Sequence, residues 1–178
     1  MRFDKVVIMG YPRSGTTWLN KVVKLLGVEH TGVHYLTDQT EPLVFILRNY
    51  KECIIRANMT TYKGLIKGND NAQYMGSIEN YIDNIKAYHS YPGKKIILYY
   101  EDFITDPKEI DRLAEFLGVE SRDLSHEQQQ SIEGYAYTSI SKGELIYHSK
   151  NLTDKEIETL DNRMRIEPVH NYTLRYER

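Results

Sequence analysis

The stretch Gly10-Tyr11-Pro12-Arg13-Ser14-Gly15-Thr16-Thr17-Trp18 constrains this chain most. It lies between an apolar run, Val6-Val7-Ile8-Met9, and a stretch in which Trp18, Leu19, Val22, Val23, Leu25 and Leu26 recur at helical spacing before Gly27 stops the pattern. A strand that feeds a tight glycine turn opening a helix aims successive backbone N–H groups, and the positive end of the helix dipole, at one spot where an anion can sit. The plain alternative is a glycine turn that only ends a strand and starts a helix. It leaves unexplained why two glycines, a cation and three hydroxyls gather there.

The spacing Gly10-x4-Gly15 followed by two small residues is that of a P-loop, with Thr16 where the pattern has lysine. In enzymes that use ATP or GTP this lysine reaches the β- and γ-phosphates, and the next hydroxyl holds Mg²⁺. A loop without it is poorly built for a triphosphate. The cation has moved inside the loop, to Arg13, and the hydroxyls of Ser14, Thr16 and Thr17 surround the cradle.

A chain of 178 residues with 40% apolar composition fits one domain, residues 1–178, with a sizeable core. The formal charge of −2 argues against general nucleic-acid binding, which needs excess Lys and Arg, so any anion site is local. Cys53 is the only cysteine, which excludes an intrachain disulfide or a cysteine zinc cluster and suits a reducing compartment. The first apolar run is too short for a signal peptide or a membrane span; the expectation is a cytoplasmic protein with no membrane partner. Fifteen tyrosines are read as core and surface rings.

Further along, Val28 to Leu36 reads as a short strand and the loop leaving it. It carries His30 and His34, and imidazole is the side chain best suited near neutral pH to take a hydroxyl proton. Leu43-Val44-Phe45-Ile46-Leu47 is continuous enough for a strand buried on both faces. It ends in the charged cluster Arg48-Asn49-Tyr50-Lys51-Glu52, at a strand's carboxyl end, where ligands of open α/β sheets bind. Residues 58–71 read as a mobile polar loop, and Tyr74 to Tyr88 as an amphipathic helix with Ile78, Tyr81, Ile82, Ile85 and Tyr88 inward. Lys95 to Tyr100 is a third core strand. Asp106-Pro107 then opens a helix whose stripe is Ile110, Leu113, Phe116 and Leu117. A short helix is expected over 125–132. Thr153-x-x-Glu156 forms a capping box opening a final helix through Arg163, and the tail from Glu167 reads as strand-like or coil.

Tyr11-Pro12-Arg13-Ser14-Gly15-Thr16-Thr17-Trp18 resembles the 5′-phosphosulfate loop, Y-P-K-S-G-T-T-W, of sulfotransferases that use 3′-phosphoadenosine 5′-phosphosulfate (PAPS), with arginine for the family lysine. Arg48-Asn49-Tyr50-Lys51-Glu52 resembles that family's 3′-phosphate motif R-N-P-K-D. A serine follows eight positions after the family's arginine, where this chain has Arg56, a second guanidinium able to clamp a phosphate. Leu98-Tyr99-Tyr100-Glu101-Asp102 resembles L-Y-Y-E-D, whose second tyrosine lies against the adenine and maps to Tyr100. Ser141-Lys142-Gly143 resembles the R-K-G loop over the 3′-phosphate, with the arginine lost.

The resemblance implies a P-loop NTPase-like sulfotransferase fold: three layers, α/β/α, around a parallel sheet of four or five strands. It implies transfer of a sulfuryl group from PAPS to an acceptor hydroxyl or amine by in-line displacement, leaving adenosine 3′,5′-bisphosphate (PAP), with no metal. The family base is a histidine at the end of the strand before the R-N segment. His34 and His30 are the candidates, His34 preferred, and spacing does not separate them. Arg13 would neutralise charge on the leaving phosphate. The implied acceptor is a small molecule, saccharide or peptide. The chain is shorter than well-known cytosolic members in stretches that line their acceptor pocket, so a more open site for large or flexible acceptors is expected. The family's dimerisation segment is not recognisable, and the oligomeric state stays open. Two other readings remain: a P-loop nucleotide or small-molecule kinase with Asp102 as its second acid, and a non-catalytic nucleotide-binding module.

Overall fold

The computed structural model describes residues 2–57, 76–126, 140–141, 144–145 and 152–177. The expected polar loop over 58–71, most of the expected helix over 125–132, Lys142 and Gly143 lie outside them. Four strands, β1 (Lys5–Gly10), β2 (Glu29–Val33), β3 (Leu43–Leu47) and β4 (Lys95–Tyr99), form one sheet in the order β2-β1-β3-β4. Every pairing is parallel, with Met9 opposite Val33 and Phe45, and Leu47 opposite Tyr99.

Strand alternation divides the interior into two cores. Val6, Ile8, Val44, Ile46 and Leu98 face α1 (Thr16–Leu25), which buries Trp18, Leu19, Val22 and Val23. Val7, Met9, Leu43, Phe45 and Leu47 face the opposite layer of helices. That layer contains α2 (Tyr50–Ala57) and α3 (Ile78–Ser90), whose predicted stripe is buried along its length. Covering on both faces is why β3 is an unbroken apolar run. The result is the predicted α/β/α sandwich around a parallel sheet.

After β4 the chain makes a short helix, α4 (Tyr100–Phe103), then α5 (Lys108–Leu117), which returns to the α1 side. Pro107 already has helical φ and ψ, and Asp106 Oδ1 accepts the Lys108 N–H at 2.9 Å, so the pair starts the helix as its sequence implies. A two-stranded antiparallel piece, β5 (Ile140–Ser141) and β6 (Glu144–Leu145), follows. The capping box opens α6 (Asp154–Met164) as predicted. Among the described residues no helix is long and apolar enough to cross a membrane.

The tail departs from the expectation of strand or coil. It is helical, with α7 (Val169–Thr173) running into a 3-10 turn, Leu174–Tyr176. Val169, Thr173 and Tyr176 are buried and fall at i, i+4 and i+7, one face of a helix, and Pro168 stands at its start. Burial against the tyrosine-rich core, rather than propensity, holds so short a segment helical.

Candidate functional site

Parallel strands deliver their carboxyl ends to one edge of the sheet, and here the residues that follow each strand carry the chemistry. Tyr11-Pro12-Arg13 follow β1, His34 follows β2, Arg48 follows β3, and Tyr100 follows β4. The order β2-β1-β3-β4 reverses direction at β1, so the loop after β1 occupies the switch point where open α/β sheets bind ligands.

The loop from Gly10 to Gly15 needs both of its glycines. A Cβ on Gly10 would lie 2.6 Å from Ser14 Oγ and 2.8 Å from Ile46 Cγ2. Gly15, at φ 102°, would place one 2.3 Å from the Tyr100 ring. Arg13 also has a left-handed backbone, φ 71°, unusual for a residue with a side chain and concentrated at functional turns. The Ser14 N–H closes the turn on the Tyr11 carbonyl at 3.0 Å. Gly15 then caps α1 with no side-chain acceptor, and the first turn holds no acid, so the helix's leading N–H groups and dipole face the loop without an internal counter-charge. Ser14 is fully buried, and its Oγ has no hydrogen-bond partner.

Arg48 ties the loop to the neighbouring strands. Its Nη1 donates to the Arg13 carbonyl at 3.2 Å, and its guanidinium carbon lies 4.2 Å from the centre of the Tyr100 ring, a cation–π contact. Its own carbonyl accepts from the Tyr81 hydroxyl at 2.6 Å. Only 4% exposed, Arg48 keeps Nε without a partner. Beneath it, burial pushes the Cys53 thiol and the Tyr81 phenol up, so both remain protonated donors. Arg56, in the last turn of α2, donates Nε to Glu52 at 3.1 Å. Burial and then the nearby Arg48 charge lower its pKa, against the pull of Glu52.

His34 Nδ1 lies 3.0 Å from the Gly10 carbonyl. A carbonyl only accepts, so the bond puts the proton on Nδ1, and in the neutral ring the lone pair sits on Nε2. His30 lies inside β2 opposite Val6, on the same side of the strand as Gly32, which faces Asn20 of α1. Four residues of strand, roughly 13 Å, separate it from His34.

Of the other predicted residues, Tyr11 turns inward, donating to the Gly76 carbonyl at 2.5 Å and meeting Tyr81 edge-on. Trp18 packs near Phe103 with its indole N–H unpartnered, Thr16 and Thr17 open α1, and Pro12 is half-buried. Ser141 lies on β5, and its neighbours Lys142 and Gly143 fall outside the described residues. The structure therefore gathers Arg13, Ser14, Gly15, His34, Arg48 and Tyr100 at one edge, and places Tyr11 and Arg56 in contacts of their own.

Sequence reasoning missed the residues that hold the site in shape. Asn49 Oδ1 accepts the Lys51 N–H at 3.0 Å and starts α2, a cap signal that an Asn immediately before a helical run carries. The Asn49 N–H is taken by Glu101 at 3.0 Å. Lys51 pairs with Asp161 at 3.1 Å, and Asp161 also accepts from the Tyr50 hydroxyl. No local pattern joins positions this far apart.

Two buried polar atoms without protein partners, Ser14 Oγ at the loop and Arg48 Nε at the end of β3, fit a ligand with an anionic group at each of two places. Among the described residues no group of three or more His, Cys, Asp or Glu is arranged to hold a metal ion. No curated protein matches the chain. Residues 3–65, which carry β1, the glycine loop, α1, His34, β3 and the arginines of α2's end of the site, match the family model of the sulfotransferase domain, the family that the loop sequence resembles.

Proposed function

We propose that this protein is a sulfotransferase that takes PAPS as donor and passes its sulfuryl group to an acceptor hydroxyl or amine. The observation that carries the reading is the convergence at one sheet edge of an uncapped helix N-terminus, Arg13, the unpartnered Ser14 Oγ and Arg48 Nε, and a histidine with its Nε2 lone pair free. The match of residues 3–65 to the sulfotransferase domain supports sulfuryl transfer as the class of chemistry.

When bound, the donor supplies a sulfuryl group on a 5′-phosphate that departs as a bisphosphate. The chain's own part follows from its geometry. The loop N–H groups, Ser14, Thr16 and Thr17 hold the 5′ end, with Arg13 neutralising charge on the departing oxygen. Arg48 and Arg56 would hold the 3′-phosphate, and Tyr100 would lie against the adenine. Ser141, Lys142 and Gly143 belong to the same expected site. His34 Nε2 accepts the acceptor's proton, and the Gly10 carbonyl fixes the imidazole through Nδ1 and stabilises the cation that forms. Gly10 links the base to the loop: the residue that orients His34 also begins the cradle.

A phosphokinase would need a lysine at position 16 and an acid available at a strand end. Position 16 is threonine, and both oxygens of Asp102 hold Arg175 at 2.9 Å. Isothermal titration tests the choice. Adenosine 3′,5′-bisphosphate binds without magnesium and ATP with magnesium does not; tight binding of magnesium ATP with none of the bisphosphate overturns the proposal. The acceptor is a small molecule, saccharide or peptide reached from the open side of His34, and a cytoplasmic setting suits the donor.

A further inference from the structure

The last turn of the chain reaches back to the pieces of backbone on either side of Arg48 and Tyr100. Tyr176, 6% exposed, donates its hydroxyl to Glu101 Oε2 at 2.8 Å, and Glu101 Oε1 accepts the Asn49 N–H at 3.0 Å. The Tyr176 carbonyl accepts from Lys51 Nζ at 2.8 Å. Arg175 sets two nitrogens on the two oxygens of Asp102, each at 2.9 Å, while its guanidinium carbon lies 4.2 Å from the Tyr99 ring centre. Asn49 and Lys51 come one and three residues after Arg48; Tyr99, Glu101 and Asp102 flank Tyr100. Burial and the Glu101 carboxylate push the Tyr176 phenol up, which keeps it a donor to that carboxylate.

We infer that Tyr176 and Arg175 are positioning residues for the donor site: the C-terminal turn clamps the ends of β3 and β4 together and so sets the Arg48–Tyr100 stack. This rests on the reading of Arg48 as a 3′-phosphate ligand. A carboxylate that bridges one strand end's N–H and one tail hydroxyl transmits a shift of the tail to the next peptide, which carries Arg48. Arg48 in turn holds the Arg13 carbonyl, so the 3′ and 5′ ends of the donor site depend on the same contact. The exposed Arg175–Asp102 pair contributes less than the part-buried Tyr176–Glu101 bond, because water screens the first more than the second.

The test compares Tyr176→Phe and Arg175→Ala with the full-length wild type, by titrating adenosine 3′,5′-bisphosphate and adenosine 5′-monophosphate into each. The ratio of the two affinities reports the 3′-phosphate ligand alone and does not change with the fraction of protein folded, so a purely structural role would leave it fixed. The expected result is a preference for the bisphosphate reduced about three- to tenfold by Tyr176→Phe, and about twofold by Arg175→Ala. An unchanged ratio in the folded variants overturns the role of the tail and leaves the donor assignment standing. A wild type that prefers neither nucleotide overturns the donor assignment itself, and the inference falls with it. Should Tyr176→Phe fail to fold, the partly exposed Arg175→Ala carries the same test.

Discussion

Helices α1 and α6 begin in opposite ways. At α6 the Thr153 hydroxyl accepts the Glu156 N–H at 3.3 Å, and the Glu156 carboxylate accepts the Thr153 N–H at 2.9 Å, with Asp154 adding negative charge to the first turn. At α1 the cap is Gly15, with no side-chain acceptor and no acid nearby. Both ends present the same unpaired N–H groups and the same positive dipole. One is answered inside the chain and is finished; the other is surrounded by cations and hydroxyls, which makes it worse as isolated structure and better as a receptor. Where α3 and α6 each start on a side-chain cap, α1 starts on none, at the sheet edge that the proposed donor would occupy.

The sharpest way to break this contrast acts at the open end. His34→Ala lowers the rate of sulfuryl transfer by about 10²–10⁴-fold while the bisphosphate affinity stays within about twofold, because it removes a base and no phosphate ligand. Transfer at the wild-type rate, with His30→Ala inactive instead, would move the base to His30. Next in size is Gly15→Ala. A side chain there takes a left-handed backbone and overlaps the Tyr100 ring, together about 2–5 kcal/mol, and chemical melts should show that loss along with weakened bisphosphate binding. A variant as stable as the wild type would mean that the loop relaxes around Tyr100. The smallest effect sharpens the other side: Thr153→Ala costs about 1 kcal/mol, a fall in melting temperature of about 2–4 °C, with donor binding untouched. If it weakened binding, the closed helix start would be coupled to the site after all.

The fold was legible wherever a segment's period or punctuation was local. β3 announced itself by five consecutive apolar residues, α3 by its stripe, α6 by Thr153 and Glu156, and the glycine loop by its spacing. The tail was not, because its helical face is spread over Val169, Thr173 and Tyr176, one of them polar, in a segment too short to declare a period. In the site, the strand-end residues could be read because parallel topology brings them together automatically. The tie from Tyr176 through Glu101 to Asn49 could not, since it joins residues 75 and 52 positions apart by bonds with no sequence signature. Nor does residue type reveal that Tyr11 points into the interior; that follows from Tyr81 and Gly76 being beside it.

The two interiors also differ in what they ask of mutation. On the α1 side most of the packing is aliphatic, and volume is the main requirement. On the other side Tyr11, Tyr50, Tyr81, Tyr91 and Tyr176 each sink a ring into the core and fasten a hydroxyl to a distant carbonyl or carboxylate. Swapping a valine for an isoleucine on the first side adjusts fit, whereas swapping any of these rings for leucine on the second would cut a rivet between remote parts of the chain. Tolerance to sequence drift should therefore be lopsided across the sheet, generous behind α1 and narrow behind α2 and α3.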